Sequence, residues 1–462
     1  MQLTRARAFF LLFAAGCLGF PAAAGAQAAA PRRVQIPLQQ YTLANGLRVI
    51  LSPDHSAPTY SIVVTYDVGS RNERPGRTGF AHLFEHMMFQ GTPGVPKGQI
   101  DQLVSAHGGN MNGTTNKDRT MYFETLLSNQ LELGPFLEAD RMRSLPEALT
   151  QAKLDNQRQA VQEERRLSVD NVAYGKTREA LDQLAYDNFN YKHSVIGSMD
   201  DLNAATLADV TAFFKTYYAP NNAVVSLVGD FEPARELAVV KKYFGDIPRQ
   251  PAPPAVDMSQ PPQTGERRQT VTDSFARLPR LDIAYRIPAG NTPDWYALSM
   301  LGNILAGGRA SRLYQELVQQ KQLAVSIFGG AGQTRGPGLF QLSSTPRPGK
   351  PVAELEQAIE TDLAQVDESG VKPEEMERVL MQLQTASIGQ LQSTLGRAIL
   401  VGTYAVYFHQ PELINTALDR YRAVTAADIQ RVGRQYFPAA NRTVVITLPA
   451  PNVMSSRLRR LP

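Results

Sequence analysis

Two periods of hydrophobic and polar positions run along the chain and divide it into strands and helices. Residues 41–51 alternate around an Asn45-Gly46 pair, which predicts a β-hairpin closed by a tight turn. β-branched residues from Tyr60 to Val68 predict a core strand, and a glycine-rich turn leads into an alternating strand ending at Leu126. Apolar residues at helical spacing predict helices over residues 131–145, 150–168 and 206–217, and residues 223–228 predict another core strand.

One helix and the strand that follows it occur twice in the sequence. Positions in the two copies correspond at one constant offset: Thr206, Asp209, Val210, Tyr217, Tyr218, Asn222 and Val225 recur as Thr425, Asp428, Ile429, Tyr436, Phe437, Asn441 and Val444. Such a repeat predicts two related halves of roughly 200 residues each. The expected fold class is α+β, with a mostly antiparallel sheet packed with helices in each half.

A proline-rich stretch separates the two halves. Residues 248–263 contain six prolines and no apolar run, which is typical of a semi-rigid linker. We therefore predict an N-terminal half over residues 35–247, a linker over 248–268, a C-terminal half over 269–450 and a basic tail over 451–462.

Residues 1–28 have the pattern of a secretory signal peptide. Arg5 and Arg7 precede an apolar run from Phe9 to Phe20, and the small residues that follow fit an A-x-A cleavage site. The run is short for a membrane span, and no other stretch resembles a transmembrane helix. These features predict a periplasmic or secreted protein.

The only cysteine, Cys17, lies within this leader, so the mature chain would have neither a disulfide nor a thiol nucleophile. Ala-Ala-Gly-Cys17 loosely resembles a lipoprotein signal, and a chain anchored through Cys17 is the alternative. The net charge is only +4, which is too weak to predict a nucleic-acid partner.

The pentapeptide His82-Leu-Phe-Glu85-His86 carries the clearest chemistry. Positions four apart share a face of a helix, so His82 and His86 can direct two imidazole nitrogens at one zinc ion. Glu85, on the flank of that face, can act as general base towards a water that the metal activates. Apolar neighbours predict that this helix is buried, and buried polar side chains need a partner. The alternative is a packed helix face without a metal.

A third ligand is expected from the helix predicted over residues 150–168, which carries Glu163 and Glu164. The stripe that we expect to face inward has Leu154, Ala160, Val161, Leu167 and Ser168 at helical spacing. Glu164 lies within that stripe, whereas Glu163 lies towards the polar side. We therefore predict Glu164 as the ligand and keep Glu163 in reserve.

With these motifs the chain resembles the pitrilysin/insulinase-type zinc metallopeptidases, which include the mitochondrial processing peptidases. Matching stretches are the H-x-x-E-H motif, the acidic helix that follows it after a long gap, and residues 105–115, 171–175 and 195–202. The resemblance implies one zinc ion per chain, held by His82, His86 and Glu164. It also implies that Asn112 and Gly113 lie on an edge strand where an extended peptide substrate can add.

The chain departs from this family in its second half. Residues 295–305, where the zinc helix would recur, contain no histidine or glutamate. Many members carry an arginine and a tyrosine in this half that hold the substrate over the zinc. Val318 and Val325 stand there instead, and valine cannot donate a hydrogen bond to an oxyanion.

The expected function is therefore a secreted zinc metalloendopeptidase that cleaves unfolded peptides. The chain would be the metal-bearing subunit of a heterodimer, and a second family subunit would supply the Arg/Tyr pair. A catalytically silent structural or chaperone-like subunit of the same family is the main alternative. A zinc hydrolase acting on other substrates is the second.

Overall fold

A computed structural model describes residues 34–451 of the chain. The predicted signal peptide, Cys17 and the basic tail from residue 452 onward lie outside the described residues. The two largest hydrophobic cores lie one under each of two sheets.

The first sheet has six strands in the order β1-β2-β6-β3-β5-β4. β2 and β6 run parallel, and the other neighbouring pairs are antiparallel. β1 and β2 form the hairpin predicted around Asn45-Gly46, and Gly46 has a φ of 89°, which favours glycine. The strands are β1 (Gln39–Thr42), β2 (Arg48–Pro53), β3 (Thr59–Tyr66), β4 (Asn110–Thr115), β5 (Thr120–Leu127) and β6 (Ala223–Gly229).

The second sheet repeats this arrangement without an equivalent of β1. Its order is β7-β11-β8-β10-β9, with β7 and β11 parallel and the other pairs antiparallel. The α+β fold with two related halves is thereby confirmed. The strands are β7 (Arg267–Asp273), β8 (Arg280–Ala289), β9 (Ala324–Ala331), β10 (Pro337–Pro346) and β11 (Arg442–Pro449).

Helices cover both sheets, and π-helical segments lie at Arg166–Asp170 and Tyr314–Gln320. The α-helices are α1 (Phe80–Met87), α2 (Gln99–Ala106), α3 (Leu133–Ala148), α4 (Gln151–Arg165), α5 (Gly175–Ala185), α6 (Phe189–Lys192), α7 (Met199–Asn203), α8 (Leu207–Tyr217), α9 (Pro233–Phe244), α10 (Pro293–Ala306), α11 (Val352–Ser369), α12 (Pro373–Leu391), α13 (Thr394–Phe408), α14 (Leu413–Arg422) and α15 (Ala426–Tyr436).

The sequence repeat is visible in the starts of two helices. Thr206 caps α8, and Asp209 completes a capping box by accepting from the Thr206 backbone N–H. Thr425 and Asp428 form the same capping box at the start of α15. The repeated residues therefore correspond to a repeated piece of structure.

Each sheet is also covered by a helix from the other part of the chain, which the sequence did not predict. α13 packs on β3 and β6 of the first sheet, and α5 packs on β7, β8 and β11 of the second. Gly402 makes the close approach of α13 possible, because a Cβ there would lie 2.5 Å from the Thr65 hydroxyl oxygen. The two halves thus pack through exchanged helices.

Residues 248–264 contain no helix or strand. The segment is nevertheless fixed by hydrogen bonds at several points. Asn221 donates to the Gln250 carbonyl at 3.0 Å, and Asn188 donates to the Asp257 carbonyl at 2.7 Å. Arg286 donates to the Pro261 carbonyl at 2.6 Å. This part of the chain therefore lies along the body of the protein.

Candidate metal centre

Helix α1 presents the H-x-x-E-H motif beside a buried apolar face. The helix begins after Gly79, whose φ of 85° lies in the left-handed region. Its remaining side chains pack into the first core, as the surrounding apolar residues predicted; the buried ones are Phe80, Ala81, Leu83, Phe84 and Met87. His82, Glu85 and His86 are left half-buried on the other side of the helix.

The structure brings His82, His86 and Glu164 together. The His82 Nε2 atom lies 3.6 Å from one Glu164 carboxyl oxygen, and the His86 Nε2 atom lies 3.3 Å from the other. One possible ligand atom from each residue lies within 4.8 Å of the others. Within residues 34–451, this is the one cluster of at least three His, Cys, Asp or Glu side chains arranged in this way.

This donor set fits a zinc ion. Zinc favours imidazole nitrogen and carboxylate oxygen at about 2.1 Å in tetrahedral geometry, which places two ligand atoms about 3.4 Å apart. The nitrogen–oxygen distances of 3.3 and 3.6 Å, each to a different oxygen of Glu164, are close to that spacing.

The charge states of His82 and Glu164 also suit a cation. Burial lowers the pKa of His82 to about 4, which favours the neutral imidazole that a metal requires. A hydrogen bond with His86 holds the pKa of Glu164 below its usual value, so the carboxylate is ionised. Burial alone would lower the pKa of His86, but the hydrogen bond and charge of Glu164 raise it overall.

Glu163 lies away from the histidines. Its side chain is 58% exposed and forms an ion pair with Arg166 at 3.0 Å. The prediction that Glu164 belongs to a stripe of inward-facing residues is nevertheless wrong in part. Leu167 and Ser168 are exposed, because the chain widens into a π-helical segment after Arg165 and the periodicity of the α-helix is lost there. Ala160 is exposed as well, although it lies within α4.

Glu85 is held between α1 and the edge of the first sheet. The Thr115 hydroxyl donates to Glu85 Oε2 at 2.5 Å, and burial raises the pKa of Glu85. Gly113 faces the same carboxylate: a Cβ there would lie 3.1 Å from Glu85 Cγ and 3.2 Å from Oε1. Thr115 was not predicted from the sequence, although strand alternation places it on the same face as Gly113.

Asn112 lies on β4, the last strand of the first sheet. The residue is exposed, and its side-chain oxygen accepts a hydrogen bond of 2.8 Å from the Gly113 backbone N–H. β4 pairs with β5 along its length, so its other edge faces away from the sheet. Contact of Asn112 and Gly113 with a substrate stays a prediction.

A buried carboxylate fixes the start of α1. Glu73 accepts hydrogen bonds of 2.8 Å from the backbone N–H groups of Gly79 and Ala81. Burial raises the pKa of Glu73 well above its usual value. This residue was not predicted from the sequence, and an acidic side chain shortly before the helix start was the available signal.

Val318 and Val325 occupy different environments in the second half. Val318 is 6% exposed within the π-helical segment Tyr314–Gln320, and Val325 is 49% exposed on β9. Neither side chain can donate a hydrogen bond.

In the described part of the chain, no helix is long and apolar enough to cross a bilayer.

Comparison with known proteins places these features in a family. The model of the insulinase family, peptidase family M16, matches residues 48–198, which include the whole cluster. A second model, the peptidase M16 inactive domain, matches residues 204–383.

Full-length relatives agree with these matches. The zinc protease PqqE of Helicobacter pylori is 30% identical over 416 residues, covering 89% of this chain and 93% of that protein. A probable mitochondrial-processing peptidase subunit beta of Arabidopsis thaliana is 24% identical, covering 86% of this chain and 75% of that one. The crystal structure of a protease from Helicobacter pylori superposes with a TM-score of 0.86 at 30% identity, covering 90% of this chain and all of that one. The chain therefore belongs to the M16, or insulinase, family of zinc proteases.

Proposed function

We propose that this chain is a zinc metalloendopeptidase with one zinc ion held by His82, His86 and Glu164. The observation that carries the proposal is the approach of both Nε2 atoms to the Glu164 carboxylate, at 3.3 and 3.6 Å. Two imidazoles and one carboxylate leave the fourth position of a tetrahedral zinc for water or substrate, as catalytic sites require.

The general base of the proposed reaction is Glu85. A bound zinc ion would supply Lewis-acid activation of water and of the scissile carbonyl. Glu85 takes a proton at its carboxylate and returns it to the leaving amine. The Thr115 hydroxyl donates to Glu85 Oε2, and glycine at position 113 leaves room for Glu85 Oε1 because it has no side chain.

The proposed substrate is an unfolded peptide that binds as an extended strand along β4. An edge strand can pair its backbone with an incoming peptide, and such pairing requires a segment free of its own secondary structure. Gly113 and Thr115 lie on this strand and contact Glu85, so a peptide on its outer edge would pass the proposed base.

The proposed active site also needs a partner subunit. Val318 and Val325 offer no donor for the oxyanion, so a second family member would supply it. The Arabidopsis relative is named as a subunit, which agrees with a paired arrangement. A silent subunit is less well supported, because the three proposed ligands and Glu85 are all present. The leader predicted over residues 1–28 supports a periplasmic or secreted location.

The proposal is tested by peptide cleavage with the mature chain, alone and mixed with a family member that carries the Arg/Tyr pair. Each sample is assayed with and without a zinc chelator. Chelator-sensitive cleavage only in the mixture supports both the zinc chemistry and the shared site, and cleavage by the chain alone removes the partner. No cleavage in either sample, with zinc bound, favours the silent subunit.

The Glu85→Gln variant provides the matched control for the base. It keeps the shape of the side chain, so zinc should still bind at one ion per chain. Cleavage should fall by at least about 100-fold, because a general base typically contributes that much. A Glu85→Gln chain that cleaves peptides like the parent would refute the assignment of Glu85.

A further inference from the structure

Arg165 follows the proposed ligand Glu164 directly and is almost completely buried. Its Nη1 donates to the Gly197 carbonyl at 2.6 Å. Nη1 and Nη2 also donate to the two carboxylate oxygens of Glu179, at 2.6 and 3.0 Å. A bidentate ion pair of this kind fixes a guanidinium in both position and orientation. The side chain therefore connects the end of α4 to the Gly197 segment and to α5.

The Gly197 segment is in direct contact with the start of α1. Gly197 and Gly79 both have left-handed backbone conformations, with φ of 79° and 85°. A Cβ on Gly197 would lie 2.4 Å from the Thr78 carbonyl oxygen, and one on Gly79 would lie 2.6 Å from the Ile196 carbonyl oxygen. The two backbones therefore pack together with no space for a side chain.

Further hydrogen bonds hold the same contact. The Thr78 backbone N–H donates to Asp201 at 3.0 Å, and the Ser198 N–H donates to the Thr78 hydroxyl at 3.1 Å. His82 lies shortly after Gly79, within the first turn of α1. The packing of Gly79 against Gly197 therefore fixes the position of His82.

We propose that Arg165 is a positioning residue that keeps the two metal-binding helices in register through the Gly197 carbonyl. Glu164 lies directly before Arg165 on α4, and α1 starts against Gly197. Both helices therefore contact the same short backbone segment around Gly197, α4 through Arg165 and α1 through Gly79. The inference rests on the proposed function, because it assigns a role in zinc binding to a residue that does not touch the metal.

Glu179 extends this connection to the second half of the protein. It lies on α5, which packs on β7, β8 and β11. The Thr177 hydroxyl of α5 is within 2.7 Å of the Thr447 hydroxyl on β11, and both are buried. Arg165 therefore receives its orientation from a helix that is docked on the opposite sheet.

The test measures zinc affinity in Arg165→Gln, Arg165→Lys and Glu179→Gln chains by competition with a chromogenic chelator. Arg166→Gln is the matched control, since Arg166 is exposed and pairs with Glu163. We expect the zinc dissociation constant of Arg165→Gln to rise by about 10- to 100-fold, as for other residues that orient metal ligands. Arg165→Lys should recover part of that loss, and Arg166→Gln should stay within about 2-fold of wild type.

Two further measurements separate positioning from a general structural role. Urea unfolding of the metal-free chains measures how much stability Glu179→Gln loses with the ion pair. The visible spectrum of the cobalt-substituted protein should change under conditions in which the Glu179→Gln chain is fully folded. Arg165→Gln and Glu179→Gln should be non-additive, because they break the same contact. If Arg165→Gln does not fold, the affinity and spectrum of Glu179→Gln decide the question.

The outcomes distinguish this inference from the proposed function. Wild-type zinc affinity and an unchanged cobalt spectrum in folded Arg165→Gln or Glu179→Gln would overturn the inference alone. A loss of affinity explained by lower stability of the metal-free chain would also overturn it. A wild-type chain that binds no zinc would overturn the proposed function, and the inference with it.

Discussion

Glu236 provides a quantitative test of the electrostatics of the first core. It lies in the first turn of α9 with no exposed surface, and neither carboxyl oxygen has a hydrogen-bond partner among the described residues. Burial raises the pKa of Glu236 to about 7. Replacement by glutamine keeps the size of the side chain and removes the charge.

The size of the effect follows from the difference between folded and unfolded pKa values. In the unfolded chain the carboxyl titrates near its ordinary value of 4.5, so the folded protein holds the proton more tightly. The contribution to stability is complete below pH 4.5 and is lost as the pH rises through 7. A difference of about 2.5 pKa units corresponds to about 3 kcal/mol, of which about 2.5 kcal/mol is lost between pH 5 and 8.

The assay is urea unfolding of wild type and Glu236→Gln at pH 5 and pH 8. We expect the variant to gain about 2.5 kcal/mol relative to wild type between the two pH values. Other buried carboxyl groups are shared by both chains, so their titration cancels in the comparison. Glu377→Gln, at an exposed position of α12, controls for the change in net charge. If the stabilities of wild type and Glu236→Gln changed in parallel between pH 5 and pH 8, the raised pKa of Glu236 would be disproved.

Three further predictions concern the metal centre. Gly113→Ala places a methyl group 3.1 Å from Glu85 Cγ and should lower kcat by about 10- to 100-fold with zinc retained; unchanged peptide hydrolysis would contradict this. Thr115→Val removes the 2.5 Å hydrogen bond to Glu85 and should lower kcat by about 10-fold or more, measured on the same peptide; an increase or no change would count against it. Glu164→Gln should weaken zinc binding by more than about 100-fold in chelator competition, whereas Glu163→Gln should leave it unchanged. Equal losses of zinc affinity in the two variants would show that Glu164 was wrongly chosen over Glu163 as the ligand.

Local patterns in the sequence were sufficient for the motif helix and for the repeat. Residues four apart share a face of any α-helix, so the common direction of His82 and His86 needed no tertiary information. The capping boxes at Thr206 and Thr425 are likewise complete within a single helical turn. Alternation and helical spacing therefore predicted the two-sheet α+β fold, because each pattern records which face of an element is buried.

Which distant residues meet depends on how whole helices and strands pack. Adjacent residues on a helix point about 100° apart, so the packing of α4 against α1 determined that Glu164, and not Glu163, faces the histidines. The π-helical segment after Arg165 invalidated a stripe drawn with the α-helical period. Thr115, Glu73 and the exchange of α5 and α13 between the sheets had no local signal strong enough to predict them. Such contacts join residues far apart in the chain, and their geometry arises from packing of whole elements rather than from the pattern within any one of them.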